Sequence, residues 1–187
     1  RRSGLADVVG KAKPTVRDGA TGQAGAFSED VIREMAKHTE HPIVFPLSNP
    51  TSRAEATPSD LMKWTDGKAV VATGSPFAPV MHKGVTHTIA QCNNSYVFPA
   101  MGLGIRASGA RRVTDAMFMA AAEALVDVSP AVKEHGASLL PSLKDIREVS
   151  RHIATQVAKQ AQEDGVAEPM TADDLKAAID RTMWTPD

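Results

Sequence analysis

The sequence predicts an α/β fold: the second half of a Rossmann-like parallel sheet, followed by a helical C-terminal tail. Three observations predict it. Up to about residue 80, short apolar runs alternate with capped helical segments. Each apolar run ends in small or polar residues. Beyond Asn94 the pattern reads as helix and loop only.

Residues 5–13 read as the end of a helix, stopped by Pro14. Thr15-Val16 then start an extended piece that runs into Gly19-Ala20-Thr21-Gly22. Ser28 is an N-cap, Glu29 and Asp30 suit the first turn, and Val31, Ile32, Met35 and Ala36 form an apolar face. This helix should end near residues 38–40. Residues 42–48 are an apolar run that suits a buried strand. Thr57-Pro58-Ser59-Asp60 is a helix start, with a capping residue, Pro at N1 and an acid at N3. Asp66-Gly67 is a turn, and residues 68–74 read as another buried strand. Such alternation implies right-handed crossovers and a parallel sheet. Ligands of such sheets bind at the carboxyl ends of the strands. Those ends are Gly19 to Gly22, Ser48-Asn49-Pro50 and Thr73-Gly74-Ser75-Pro76.

The tail reads as helices over residues 97–108 and 113–126. A long helix follows, capped by Ser142, with Leu143, Ile146, Val149, Ile153 and Val157 on one face. A last helix is capped by Thr171, with Asp174 at N3, and runs to about residue 183. The expected division is residues 1–110 as the sheet-containing part and 111–187 as a helical tail packed on it.

Composition excludes several classes. A net charge of −1 gives no basic field for nucleic acid, and 4% aromatic residues leave little to stack on bases. One cysteine, Cys92, rules out a disulfide framework or a Cys-based zinc site within the chain and suits a reducing, cytoplasmic setting. No apolar run approaches the ~20 residues of a membrane span. Arg1-Arg2-Ser3-Gly4 has neither Met nor the apolar stretch of a secretory signal, so the chain reads as a fragment or processed product. The six histidines show no metal-ligand spacing.

Three segments carry candidate chemistry. In Pro46-Leu47-Ser48-Asn49-Pro50-Thr51, Pro50 biases Asn49 away from the helical region. Its carboxamide then either bonds a substrate carboxylate or nicotinamide amide, or satisfies the loop backbone. In Gln91-Cys92-Asn93-Asn94-Ser95-Tyr96, two amides precede an apolar helix. They either help hold an anion at the helix N-terminus or cap it. Gly19-Ala20-Thr21-Gly22-Gln23-Ala24-Gly25 either lets the backbone approach a ligand or is a flexible surface loop. Gly102-Leu103-Gly104-Ile105-Arg106-Ala107 matches G-x-G-x-x-A, but it follows no strand and reads as close helix packing. Arg111-Arg112 reads as a solvated or inter-subunit pair.

Five stretches in order resemble the malic enzyme family, in wording most like its bacterial NAD-preferring branch. They are residues 45–55 (FPLSNPTSRAE), 72–77 (ATGSPF), 91–99 (QCNNSYVFP), 108–115 (SGARRVTD) and 140–150 (LPSLKDIREVS). The resemblance implies oxidative decarboxylation of L-malate to pyruvate and CO2 by a homo-oligomer (dimer or tetramer) that uses NAD or NADP with Mg2+ or Mn2+. It also makes residues 1–110 the C-terminal half of an NAD(P)-binding domain, and composition adds that no nucleic-acid or membrane partner is expected. By the same resemblance Asn49 contacts malate and the nicotinamide side of the cofactor, and Asn93, with Asn94 close behind, contacts the malate carboxylate. Gly19, Thr21, Gly22 and Ser75 line the cofactor crevice. The catalytic Tyr and Lys, the acidic metal ligands and the Gly-rich pyrophosphate turn of the family have no counterpart in these residues. The isolated chain is therefore expected to be inactive, with no catalytic residue or metal ligand of its own. The alternative is a non-catalytic nucleotide- or carboxylate-binding module of the same fold. Val16-Arg17-Asp18-Gly19 departs from the family, because it puts two charges where an apolar strand is usual. Ala100 and Arg106 also replace residues that are usually small or apolar.

Overall fold

The computed structural model describes residues 4–134 and 137–185. Residues 1–3, on which the absence of a signal was read, lie outside the described residues. The chain forms two compact units, Arg1–Asn93 and Asn94–Asp187.

In the first unit, α1 (Leu5–Ala12) stops at Lys13, which turns left-handed just before Pro14. Strand β1 (Val16–Gly19) leads through the small-residue loop to α2 (Glu29–Ala36), with Ser28 at the N-cap position as expected. Strand β2 (Ile43–Pro46), α3 (Pro58–Trp64) and β3 (Val70–Thr73) follow. Thr57 caps α3 by accepting from the Asp60 amide at 3.2 Å. The sheet order is β1-β2-β3-β6, where β6 is Ala90–Gln91, and every pairing is parallel. Val44 on β2 faces Arg17 on one side and Val71 on the other. The apolar residues of α2, Val31, Ile32 and Met35, pack with Phe27, Val44 and Leu61 in a fully buried core.

The sequence reading missed the connection from β3 to β6. It is a hairpin, β4 (Val80–His82) and β5 (Val85–His87), in a stretch where the sequence reading placed no element. Its turn residues Lys83 and Gly84 both have positive φ, 49° and 80°. That is the signature of the tight turn whose twist matches paired strands. Lys-Gly is not the usual sequence for it, and each strand is too short to show alternation.

The two charges of β1 are treated differently: Asp18 reaches solvent, while Arg17 buries its Nε without a hydrogen-bond partner among the described residues. β1 is the edge of the described sheet, Asp18 is exposed, and Arg17 is half-buried with its guanidinium carbon 4.5 Å from the Phe27 ring centroid. A cation over an aromatic face recovers part of what the guanidinium loses in hydration.

The second unit is helical. A 3-10 turn at Asn94–Tyr96 leads into α4 (Phe98–Ser108), which Gly109 ends in the left-handed region. Helices α5 (Asp115–Asp127), α6 (Pro130–Lys133), α7 (Ile146–Glu163) and α8 (Ala172–Thr182) follow. Ser142 caps a separate 3-10 turn, Leu143–Asp145, and not the long helix itself. That tighter turn swings Leu143 off the predicted face and leaves it exposed, whereas Val149, Ile153 and Val157 are buried as expected. Thr171 caps α8 in the expected way, accepting from the Asp174 amide at 3.1 Å.

Small residues set the helix spacing. Met117, Ala121 and Ala124 of α5 are buried with Ala100 and Met101 of α4 and Ile153 and Val157 of α7. At Gly104 a Cβ would lie 2.7 Å from the Ala154 carbonyl oxygen and 2.9 Å from Val157 Cβ. The G-x-G-x-x-A match is thus helix packing, as its context implied. Gly102, two residues earlier, has open space where its Cβ would go. This contrast gives a paired test. Gly104→Ala should destabilise by about 1–3 kcal/mol through overpacking. Gly102→Ala should stabilise by about 0.5–1 kcal/mol through helix propensity. Urea unfolding of both variants checks this, and equal effects would mean that α4 does not meet α7 at Gly104.

Candidate functional site

In a parallel sheet all strands end on the same side. The four carboxyl ends here are Gly19 to Gly22 after β1, Leu47 to Asn49 after β2, Gly74-Ser75 after β3, and Cys92-Asn93 after β6. Three were expected. The fourth exists because β6 pairs with β3 through Ala72–Ala90 and Thr73–Gln91.

Glycine permits the close approach of these ends. A Cβ on Gly74 would lie 2.1 Å from the Leu47 carbonyl oxygen, so no other residue fits without moving the backbone. That approach brings Ser75 against Asn49, and the buried Ser75 hydroxyl donates to Asn49 Oδ1. Asn49 Nδ2 lies only weakly on the Leu47 carbonyl oxygen, at 3.4 Å. With the acceptor end of the amide engaged, its donor end is presented. The Asn49-Pro50 peptide bond is cis.

The other polar groups form one network around Glu55. This carboxylate is fully buried. It accepts from the Thr21 amide at 2.8 Å, the Thr21 hydroxyl at 2.9 Å, the Ser48 hydroxyl at 2.5 Å and the Ser48 amide at 3.3 Å. Ser48 Oγ in turn accepts from the Gly22 amide at 2.9 Å. Burial pushes the Glu55 pKa up, but the bonds from Ser48, from the Thr21 backbone and hydroxyl, and from its own backbone outweigh it and hold the carboxyl at about 2. Gly19 completes the packing, since its Cβ would lie 2.5 Å from Phe27 Cζ and 2.8 Å from Glu55 Cδ.

The structure thus joins five of the expected residues, Gly19, Thr21, Gly22, Asn49 and Ser75, through shared contacts. Thr21 and Ser75 spend their hydroxyls on neighbours within the site. Gly19 turns its bare Cα toward the interior. Gly22 and Gly25, at φ 67° and 75°, have nothing within 4 Å of where a Cβ would sit, so the loop backbone lies open. Asn93 stands two residues beyond β6, and Asn94 opens the second unit. The N-cap residue of α4 is Val97, and the 3-10 turn Asn94–Tyr96 lies between β6 and that helix. Cys92 is half-buried and burial raises its pKa, the opposite of an activated thiol. Arg111, read as solvated, is exposed but bonds Glu168 at 3.1 Å and the Gly165 carbonyl oxygen at 3.0 Å.

An open glycine backbone and a presented carboxamide at strand ends suit the backbone and amide recognition that a dinucleotide needs. The donor set for a divalent metal is a different matter. Among the described residues, no group of three or more His, Cys, Asp or Glu is placed to hold one.

Comparison with known proteins bears on the family. The family model described as malic enzyme, NAD binding domain, matches residues 1–162. The chain belongs to the malic enzyme family. The NAD-dependent malic enzyme of Proteus mirabilis is 60% identical over 98% of this chain, and that of Acinetobacter baylyi is 56% identical over 97%. In each case the chain spans 32% of the relative, so it corresponds to about a third of a malic enzyme. Among solved structures, the malic enzyme of Entamoeba histolytica matches 96% of this chain and 34% of its own, with a TM-score of 0.76 at 25% identity. That of Pyrococcus horikoshii matches 96% of this chain and 37% of its own, with a TM-score of 0.71 at 27% identity. The α/β fold with a parallel sheet and a helical tail is therefore the malic enzyme fold.

The sequence reading missed the part Glu55 plays. In the sequence Glu55 appears only as the last residue of the stretch 45–55. The available signal was an acid six residues past the strand-end Asn49, followed by a helix start. A stability test follows from its depressed pKa. Ionised Glu55 contributes stability that is complete above its ordinary value of 4.5 and is lost as pH falls through about 2. The urea midpoint of Glu55→Gln should therefore lie below wild type near neutral pH, and the gap should close as pH falls from 4.5 toward 2. A gap that ignores pH would show that ionisation of Glu55 contributes nothing.

Proposed function

We propose that this chain is the cofactor- and substrate-positioning third of an enzyme that converts L-malate and NAD to pyruvate, CO2 and NADH. One observation carries the reading. The ends of β2 and β3 meet at Asn49, whose carboxamide oxygen accepts from Ser75 and whose donor end is presented.

In this reading Asn49 Nδ2 donates to a carboxylate oxygen of malate or to the carbonyl oxygen of the nicotinamide amide. Such a bond fixes the distance and angle between the two reactants, and orientation of this kind accounts for much of an enzyme's rate. Asn93 adds a second amide at the end of β6, for the malate carboxylate, with Asn94 next to it. Thr21, Gly22 and Ser75 shape the crevice. NAD, when bound, accepts the hydride from malate C2. The groups that move protons, and the ligands of Mg2+ or Mn2+, belong to parts of the enzyme outside this segment. Residues 1–110 serve as the cofactor half and 111–187 as a supporting tail of a cytoplasmic homo-oligomer. The isolated segment lacks turnover. NAD is the preferred cofactor, in line with the names of the relatives; NADP is the alternative. Among the described residues no helix is long and apolar enough to cross a membrane.

Asn49→Ala, made in a full-length protein that carries this chain, should lower kcat/KM for malate by about 1–3 kcal/mol of transition-state stabilisation, the size of a lost hydrogen bond to a charged group. Steady-state kinetics with malate, NAD and Mn2+ measures it. Unchanged kinetics would remove Asn49 from the site.

A further inference from the structure

We propose that Glu55 is a positioning residue for this reaction: it ties the loop after β1 to the loop after β2, so that the cofactor-facing backbone and the Asn49 carboxamide are held as one rigid body. The proposal rests on the functional reading above, but its geometry stands apart from it.

The tie has a specific wiring. Glu55 Oε1 collects three donors: the Thr21 amide, the Thr21 hydroxyl and the Ser48 hydroxyl. Because a carboxylate only accepts, the Ser48 hydroxyl has to give its proton to Glu55. Its lone pairs are then turned outward, and one accepts from the Gly22 amide. The charge on Glu55 therefore sets the direction of a hydroxyl that sits between the two loops. Thr21 and Gly22 belong to one loop. Ser48 belongs to the other and immediately precedes Asn49.

The surroundings leave little slack. Glu55 is fully buried, and Gly19 packs so closely on its side chain that no Cβ fits between them. Its low pKa keeps the carboxylate ionised at any physiological pH. No cation pairs with it among the described residues; hydrogen bonds alone compensate for its burial. A carboxylate used only for stability would be an expensive choice, since apolar residues fill such a space at less cost. Its benefit is geometric, because several charge-assisted bonds fix two loops at once.

The test uses a full-length protein carrying this chain, with variants Glu55→Gln, Ser48→Ala and Thr21→Val. Kinetics are measured well below the melting temperature of each and expressed per folded molecule. Glu55→Gln keeps the shape but forces a donor against the Ser48 amide. It should lower kcat by about ten-fold or more, since misplacement of about 1 Å costs up to roughly 10²-fold. Ser48→Ala, which removes the bridging hydroxyl, should fall in the same range and covers the case in which Glu55 variants do not fold. Thr21→Val should be milder, because the Thr21 amide still bonds Glu55. A carboxylate that only stabilises would lower Tm and leave kcat per folded molecule at the wild-type value; that result would overturn the proposal.

If the wild-type protein turns over no malate, the functional reading fails by itself. The tie is then judged by amide hydrogen exchange at Thr21 and Gly22. Glu55→Gln and Ser48→Ala should each speed it by about ten-fold, the equilibrium weight of one such bond. Exchange at the wild-type rate would overturn the tie.

Discussion

A carboxylate buried with no counter-ion among the described residues must be met by several hydrogen-bond donors, and in this protein that requirement organises the sheet's carboxyl edge. Glu55 draws the Thr21 amide and hydroxyl and the Ser48 hydroxyl onto one oxygen. Ser48 draws in the Gly22 amide. Two loops from different strands are fixed by these contacts, and the third, Gly74-Ser75, is fixed by the approach of Gly74 to the Leu47 carbonyl oxygen. Each bare Cα answers a steric demand made by a polar contact: Gly19 beside Glu55, and Gly74 beside Leu47. The candidate site is therefore stiff for the same reason that it is polar.

Much of the first unit was legible because its signals are local. A cap, an apolar period and a stop sit within a few residues of one another, so α2, α3, β2 and β3 fell close to where Ser28, Thr57 and the apolar runs placed them. The hairpin and β6 were not legible. A two-residue strand such as Ala90–Gln91 carries no period and exists only because β3 offers a partner. Ser142 shows the opposite failure, since its capping pattern was correct but the structure uses it on a 3-10 turn.

The site was legible in part. Asn49, Thr21, Gly22 and Ser75 stood out as small or polar residues after apolar runs, and the structure gathers them. Glu55 did not stand out, because its role depends on Thr21, which is 34 positions away in the sequence. Local pattern reads an acid before a helix as a solvated charge. Only the fold shows it buried. Arg17 is a related case: a charge in a strand looked costly, and the Phe27 ring beside its guanidinium offsets part of that cost, while its Nε stays buried without a hydrogen-bond partner among the described residues.

The proposed function puts the dinucleotide at the carboxyl edge of this sheet. Hydrogen exchange of the full-length protein with and without saturating NAD tests it most directly. Backbone amides in residues 19–25, 47–51 and 73–76 should become protected on adding NAD, while those buried in the middle of α7 should not change. Protection confined to other parts of the protein, with these three segments unaffected, would contradict it.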